Sequence, residues 1–173
     1  MTNKSTIEYV QHIELHAARW MTQHGTTCMR FSIGIIFLWF GALKLFPGHS
    51  PAEALAGQTI QALTLGIIPA EISVPLLGVF ESLLGICLLT RRALRLCIYV
   101  LFAHMLGTAL PFIVLPRAVF GNQFLSLTLE GQFIFKNLVI VSGAMLIAAN
   151  PAAHPEPNTI RQGRSARSAA SLV

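Results

Sequence analysis

The sequence predicts an all-α fold, a four-transmembrane-helix bundle with an N-terminal interfacial amphipathic helix and a short outer-loop helix. Two observations carry that prediction. Of 173 residues, 54% are hydrophobic and only 11% are charged, and the mean hydropathy is +0.64, which no water-soluble domain of ordinary composition reaches. The apolar residues also gather in four runs, at 28–46, 72–90, 94–115 and 132–149. Each comes near the roughly 20 residues that a bilayer core of about 30 Å demands of a helix. None of the runs alternates with period two, so membrane β-strands are excluded and helices satisfy the backbone.

Before the first run, residues 1–26 form a cytoplasmic segment. Ser5-Thr6-Ile7-Glu8 has the pattern of a capping box, and Ile7, Val10, Ile13, Ala17, Trp20 and Met21 recur at helical spacing. The expectation is an amphipathic helix over 5–24, lying in the membrane interface with Trp20 at headgroup depth. Lys4, Glu8, Glu14 and Arg19 interrupt it, so it is not a cleavable signal peptide.

The first run, 28–46, carries Lys44 as the third residue from its outer end. After it, Ser50-Pro51-Ala52-Glu53 offers an N-cap, a first-turn proline and an acidic third residue. A loop helix is expected from there to about Leu65, stopped by Gly66. The second run places Glu81 ten residues deep, at the midplane, flanked by Gly78, Ser82 and Gly85, which permit close helix approach. A short carboxylate cannot reach water from that depth. It is either protonated or paired within the bundle, as a packing group or as part of a site.

The turn into the third run is Thr90-Arg91-Arg92-Ala93-Leu94-Arg95, whereas 47–71 contains no Lys or Arg. That asymmetry puts the arginine turn and both termini in the cytoplasm, and the 47–71 and 116–131 loops outside. On the third run His104 lies near the midplane with Thr108 on the same face. Pro111 removes a backbone bond to the Gly107 carbonyl and kinks the helix. A lone histidine serves equally as a satisfied core residue. No second ligand stands at metal spacing, so no metal centre is expected.

The fourth run opens with Thr128 and Glu130 at the positive end of its helix dipole and then carries Lys136 and Asn137 side by side. Lys136 and Lys44 both start about 3–6 Å below the outer boundary at 1.5 Å per residue, close enough to extend to the headgroups. Asn137 cannot reach as far, and Glu81 is the natural counter-charge below Lys136. The sequence thus leads us to expect Lys136 pointing inward toward Glu81, directly or through a ligand, and Asn137 against a neighbouring helix. Two lysines against one carboxylate leave spare positive charge in the outer half, suited to an anion or a carbonyl oxygen. The candidate ligand-binding residues are Lys44, Glu81, His104, Thr108, Lys136 and Asn137.

Residues 27–150 thus make the transmembrane domain, and 151–173, rich in Pro, Ala, Ser and Arg, a disordered basic tail. The net charge of +5 is accounted for by topology and anionic lipid, with no nucleic-acid groove. Cys28, Cys87 and Cys97 contain no C-x-x-C pair, which excludes a dithiol oxidoreductase. They are packing residues or redox sensors.

FLWFGALKLF, PLLGVFESLLG, HMLGTALPFIVLP and TLEGQFIFKNLV, in that order over residues 30–149, resemble the DoxX-like family of small bacterial four-helix membrane proteins. The matching positions are Arg30, Gly41, Lys44, Glu81, Gly85, His104, Thr108, Pro111, Glu130, Gly131, Lys136 and Asn137. The resemblance implies the bacterial inner membrane and a link to quinone-coupled thiosulfate oxidation or oxidative-stress complexes. No motif holds flavin, haem or nicotinamide, so electron transfer would require a bound quinone or a redox partner protein. Two functions fit the sequence: a subunit of a quinone-linked oxidoreductase binding a quinone or small sulfur oxyanion, or a small-solute transporter or scaffold without chemistry of its own. A homo-oligomer is compatible with either.

Overall fold

The computed structural model describes residues 4–50, 52–121 and 126–150, with side chains from Tyr9 onward. The tail at 151–173 and the side chains of the Ser5–Glu8 capping box lie outside the described residues. Among the described residues the fold is built from helices: α1 Lys4–Leu43, α2 Glu53–Leu63, α3 Ala70–Thr90, α4 Leu94–Ala109, α5 Pro111–Val114, α6 Pro116–Val119 and α7 Leu129–Ala149. Four segments are long and apolar enough to cross a membrane: Tyr9–Leu43, Ala70–Thr90, Leu94–Val114 and Leu129–Ala149. The protein is a multi-pass membrane protein built as a helical bundle.

Its surface fits a lipid solvent. Trp39, Leu76, Leu83, Leu106, Leu138, Val139 and Met145 all point outward from the spans, a pattern that water would penalise and acyl chains reward. The buried core joins all four spans through Ile33 and Phe37 of α1, Leu84 and Leu88 of α3, Leu101 and Met105 of α4, and Ala144 and Ile147 of α7.

Glycines set the closest contact, between α1 and α3. A Cβ on Gly41 would lie 2.6 Å from the Ser82 nitrogen, one on Gly78 2.8 Å from the Gly41 carbonyl, and one on Gly85 2.7 Å from the Gly34 carbonyl. Gly34 and Gly41 are seven residues apart, as are Gly78 and Gly85, so each pair forms one stripe over two helical turns. With no side chain between them the backbones touch, the arrangement that drives helix association where lipid provides no hydrophobic contrast.

The helix ends are fixed by polar contacts. The buried Arg30 donates from Nη1 to the carbonyl oxygens of Leu88 and Leu89, satisfying orphan acceptors at the negative end of α3. Arg91 and Ala93 then take left-handed conformations, with φ of 60° and 50°, and turn the chain into α4. At the start of α7 the Thr128 hydroxyl accepts from the Gly131 amide at 3.1 Å and donates to the Ala118 carbonyl at 2.8 Å. Asn150 ties the other end to α1, its Nδ2 donating to the Thr26 hydroxyl at 2.8 Å.

Two local features differ from the sequence expectation, and a third, at Pro111, follows it. α1 is one helix of 40 residues, about 60 Å long, so the amphipathic segment and the first span are continuous. The loop helix lacks a Ser50 cap: its N-cap position is Ala52 with no side-chain bond, and the Glu53 carboxylate instead accepts from the Gly48 amide at 2.8 Å. The third span is interrupted near Pro111, where the Leu110 amide reaches the Gly107 carbonyl at 3.2 Å and α5 begins. Gly66, with φ +80°, follows α2 where a stop was expected.

Candidate functional site

Glu81 is brought against Lys44 by the glycine stripe. A Cβ on Gly78 would lie 2.9 Å from the Cβ of Lys44, so the side chain just past the end of α1 drapes over α3 one turn before the carboxylate. The Lys44 ammonium donates to Oε2 of Glu81 at 2.5 Å, and both side chains are under 10% exposed. On the other carboxylate oxygen, Nε2 of His104 lies 3.3 Å from Oε1. With Glu81 ionised and paired to Lys44, the carboxylate only accepts, and Nε2 is the nitrogen that presents a proton to it. The His104 ring is held between two aromatic edges, with centroids 5.6 Å from Phe37 and 5.3 Å from Phe80. Three spans therefore supply one cluster: α1 the lysine, α3 the carboxylate and α4 the imidazole.

Thr108, one turn beyond His104, donates to the Met105 carbonyl at 2.9 Å and accepts from Nδ2 of Asn137 at 3.1 Å. That bond joins α4 to α7, so Asn137 faces a neighbouring helix rather than lipid. Both polar groups border the same cavity, about 680 Å³, which Lys44, Glu81 and His104 also line. Apart from Thr59, Glu130 and Lys136, the rest of its wall is apolar: Phe37 and Phe40 of α1, Leu55 and Ile60 of α2, Leu77 of α3, Pro111 of α5 and Phe133 of α7 are among the residues there. The volume is that of a small-molecule pocket with a few convergent polar groups.

Lys136 is placed differently from the sequence expectation of an ammonium aimed at Glu81. It is exposed, and its Nζ sits 5.4 Å from the centroid of the Phe133 ring one turn before it, at the range of a cation–π contact. It lines the cavity without forming the ion pair, because Lys44 takes that position. Lys136 shares the cavity wall with Glu130, and the cluster at Glu81 is charge-balanced by Lys44.

Sequence reasoning missed Arg30 as a buried helix cap and ranked Lys136 above Lys44 as the partner of Glu81. The signal for Lys44 was present: Gly41 three residues earlier faces Gly78 three residues before Glu81, and two helices touching there carry both side chains to one side. Cys97 is buried and donates toward the Leu84 carbonyl at 3.6 Å, Cys87 donates to the Arg92 carbonyl at 2.7 Å, and Cys28 is exposed. None of the three borders the cavity. Among the described residues no group of three or more metal-ligating side chains forms.

What the fold and the site define is a class: a multi-pass helical membrane protein with a buried Lys–Glu–His cluster on the wall of a cavity between its helices. No family model, curated protein or solved structure matches this chain, so the likeness to DoxX-like proteins rests on the four sequence motifs.

Proposed function

We propose that the protein binds a quinone-type ligand in this cavity, as a subunit of a membrane redox or oxidative-stress system in the bacterial inner membrane. In this reading both termini are cytoplasmic, which the arginines of the turn at 91–95 support. The observation that carries this reading is the pairing of a largely apolar cavity with one buried, charge-balanced polar cluster on its wall. A flat ring with an apolar tail buries against Phe37, Phe40, Leu77 and Phe133, and its oxygens require hydrogen-bonding partners. On one side of the ring the Asn137 amide, which gives one N–H to Thr108, has a second N–H for a ring oxygen, and on the other Nδ1 of His104 accepts from the hydroxyl of the reduced ring.

The charge balance favours a quinone over a small sulfur oxyanion. An oxyanion in an apolar cavity needs uncompensated positive charge, and Lys44 is already neutralised by Glu81 at 2.5 Å. Lys136 is exposed and provides a weaker, hydrated cation. A bound quinone would supply the electron chemistry. The chain's own residues would orient the ring, and Glu81 with His104 would accept or return a proton at the ligand oxygen. Electrons would pass to a separate redox partner.

The test is extraction of small molecules from the purified protein in native-lipid nanodiscs. A quinone near one equivalent per chain, lost in His104→Leu and Thr108→Val variants that remain folded, is the expected result. Lipid alone in the extract, together with solute uptake by reconstituted liposomes, would replace this reading with a transporter.

A further inference from the structure

Away from the cavity, the N-terminal half of α1 stands clear of the bundle. The far ends of the other spans meet α1 near Thr26 and Arg30, through Asn150 and the carbonyls of Leu88 and Leu89. Every described side chain from Tyr9 to Gly25 is exposed. Within this stretch His12 and His16 lie four residues apart on a continuous helix, hence on one face. Their ring centroids are 4.7 Å apart, with the planes tilted by 54°.

That separation matches two imidazoles sharing one metal ion. Metal–nitrogen bonds are about 2.0–2.1 Å, and a ring centroid lies roughly 1.2 Å behind its nitrogen, so two ligating rings have centroids about 4.5 Å apart at a right angle and about 5.2 Å at the tetrahedral angle. The observed 4.7 Å falls between these limits. The tilt matters as well, because rings stacked in parallel would point their nitrogens past each other rather than at a common point. Spacing of two histidines by four residues is the helical pattern by which zinc is held in metal sites built on a single helix.

We propose that His12 and His16 form a binding site for a divalent transition-metal ion, Zn²⁺ or Cu²⁺ by ligand preference, on the projecting end of α1. Imidazole is a borderline ligand that suits these ions and disfavours Mg²⁺ or Ca²⁺. No third histidine, cysteine or acid joins the pair among the described residues, so water or an added ligand completes the coordination shell. The helix preorganises the pair, and the bound ion in turn ties two successive turns together.

The test uses tag-free, full-length protein in nanodiscs, titrated calorimetrically with ZnCl₂. Saturable binding of one equivalent per chain is expected, weakened at least about tenfold in His12→Gln and in His16→Gln and lost in the double variant. His24→Gln and His49→Gln should bind as the parent does. Cu²⁺-loaded protein should show coupling to two nitrogen ligands by electron paramagnetic resonance, absent in the double variant. Absence of saturable Zn²⁺ binding to the parent would overturn the proposal. So would undiminished stoichiometry in the double variant, which would place the ion elsewhere, for example on Cys28.

Discussion

Removing either charge of the Lys44–Glu81 pair strands the other in the interior, and the size of that penalty can be worked from the geometry. At a separation of 2.5 Å and an effective dielectric of about 20, the Coulomb attraction is roughly 6–7 kcal/mol. Desolvating two ions costs several kcal/mol each, so the net worth of the intact pair is small. The cost of breaking it is large. Lys44→Met and Glu81→Gln should each destabilise the bundle by about 3–5 kcal/mol, while the double variant, with no charge left uncompensated, should recover most of that loss. The coupling energy should exceed about 2 kcal/mol. Unfolding free energies in mixed micelles, titrated with sodium dodecyl sulfate, measure all four corners of the cycle. Lys136→Met supplies the control, because its ammonium is exposed and near Phe133; its cycle with Glu81→Gln should be additive within about 0.5 kcal/mol. Additivity in the Lys44 cycle, or strong coupling in the Lys136 cycle, would refute the assignment of Lys44 as the partner of Glu81.

Other variants test separate elements. Gly85→Val inserts atoms where even a Cβ would meet the Leu38 backbone nitrogen at 2.5 Å, and should prevent α1 and α3 from packing; Gly107→Ala, with nothing within 4 Å, should leave thermal stability unchanged. Thr128→Val deletes the cap of α7 and should cost about 1 kcal/mol, read from the same detergent titration, with Thr128→Ser recovering most of it. Cysteines introduced at Gln58 and Arg92 in a background lacking the native thiols should label from opposite sides of the membrane, outside and inside respectively. Labelling of both from one side would overturn the four-span topology.

The four spans were legible because continuous apolar runs are a signal of composition and length, independent of which way any face turns. The pairing of Glu81 was only half legible. Depth from a helix end can be counted along a sequence, and by that count Lys44 and Lys136 are nearly equivalent. Which lysine turns inward depends on azimuth, and azimuth is set by the α1–α3 glycine contact, a tertiary fact. Asn137 was legible for a different reason: an amide too short to reach water must find a protein partner, and Thr108 is that partner at 3.1 Å. The continuity of α1 was hidden by Gly25-Thr26-Thr27, residues of poor helix propensity that look like a break. The helix runs through them, and Thr26 receives the Asn150 amide. The cap made by Arg30 was not legible, since a sequence does not display the unpaired carbonyls that such a residue satisfies.

The glycine contact also dictates the order in which the site can come apart. Lys44 and Glu81 ride on two helices locked backbone to backbone, so they travel together as one body. His104 and Thr108 ride on α4, and Asn137 on α7, which meet that body through side chains. An opening of the bundle that leaves the α1–α3 glycine contact intact would part the imidazole from the carboxylate and keep the ammonium in place. The cluster has one member set by backbone contact and one set by side chains.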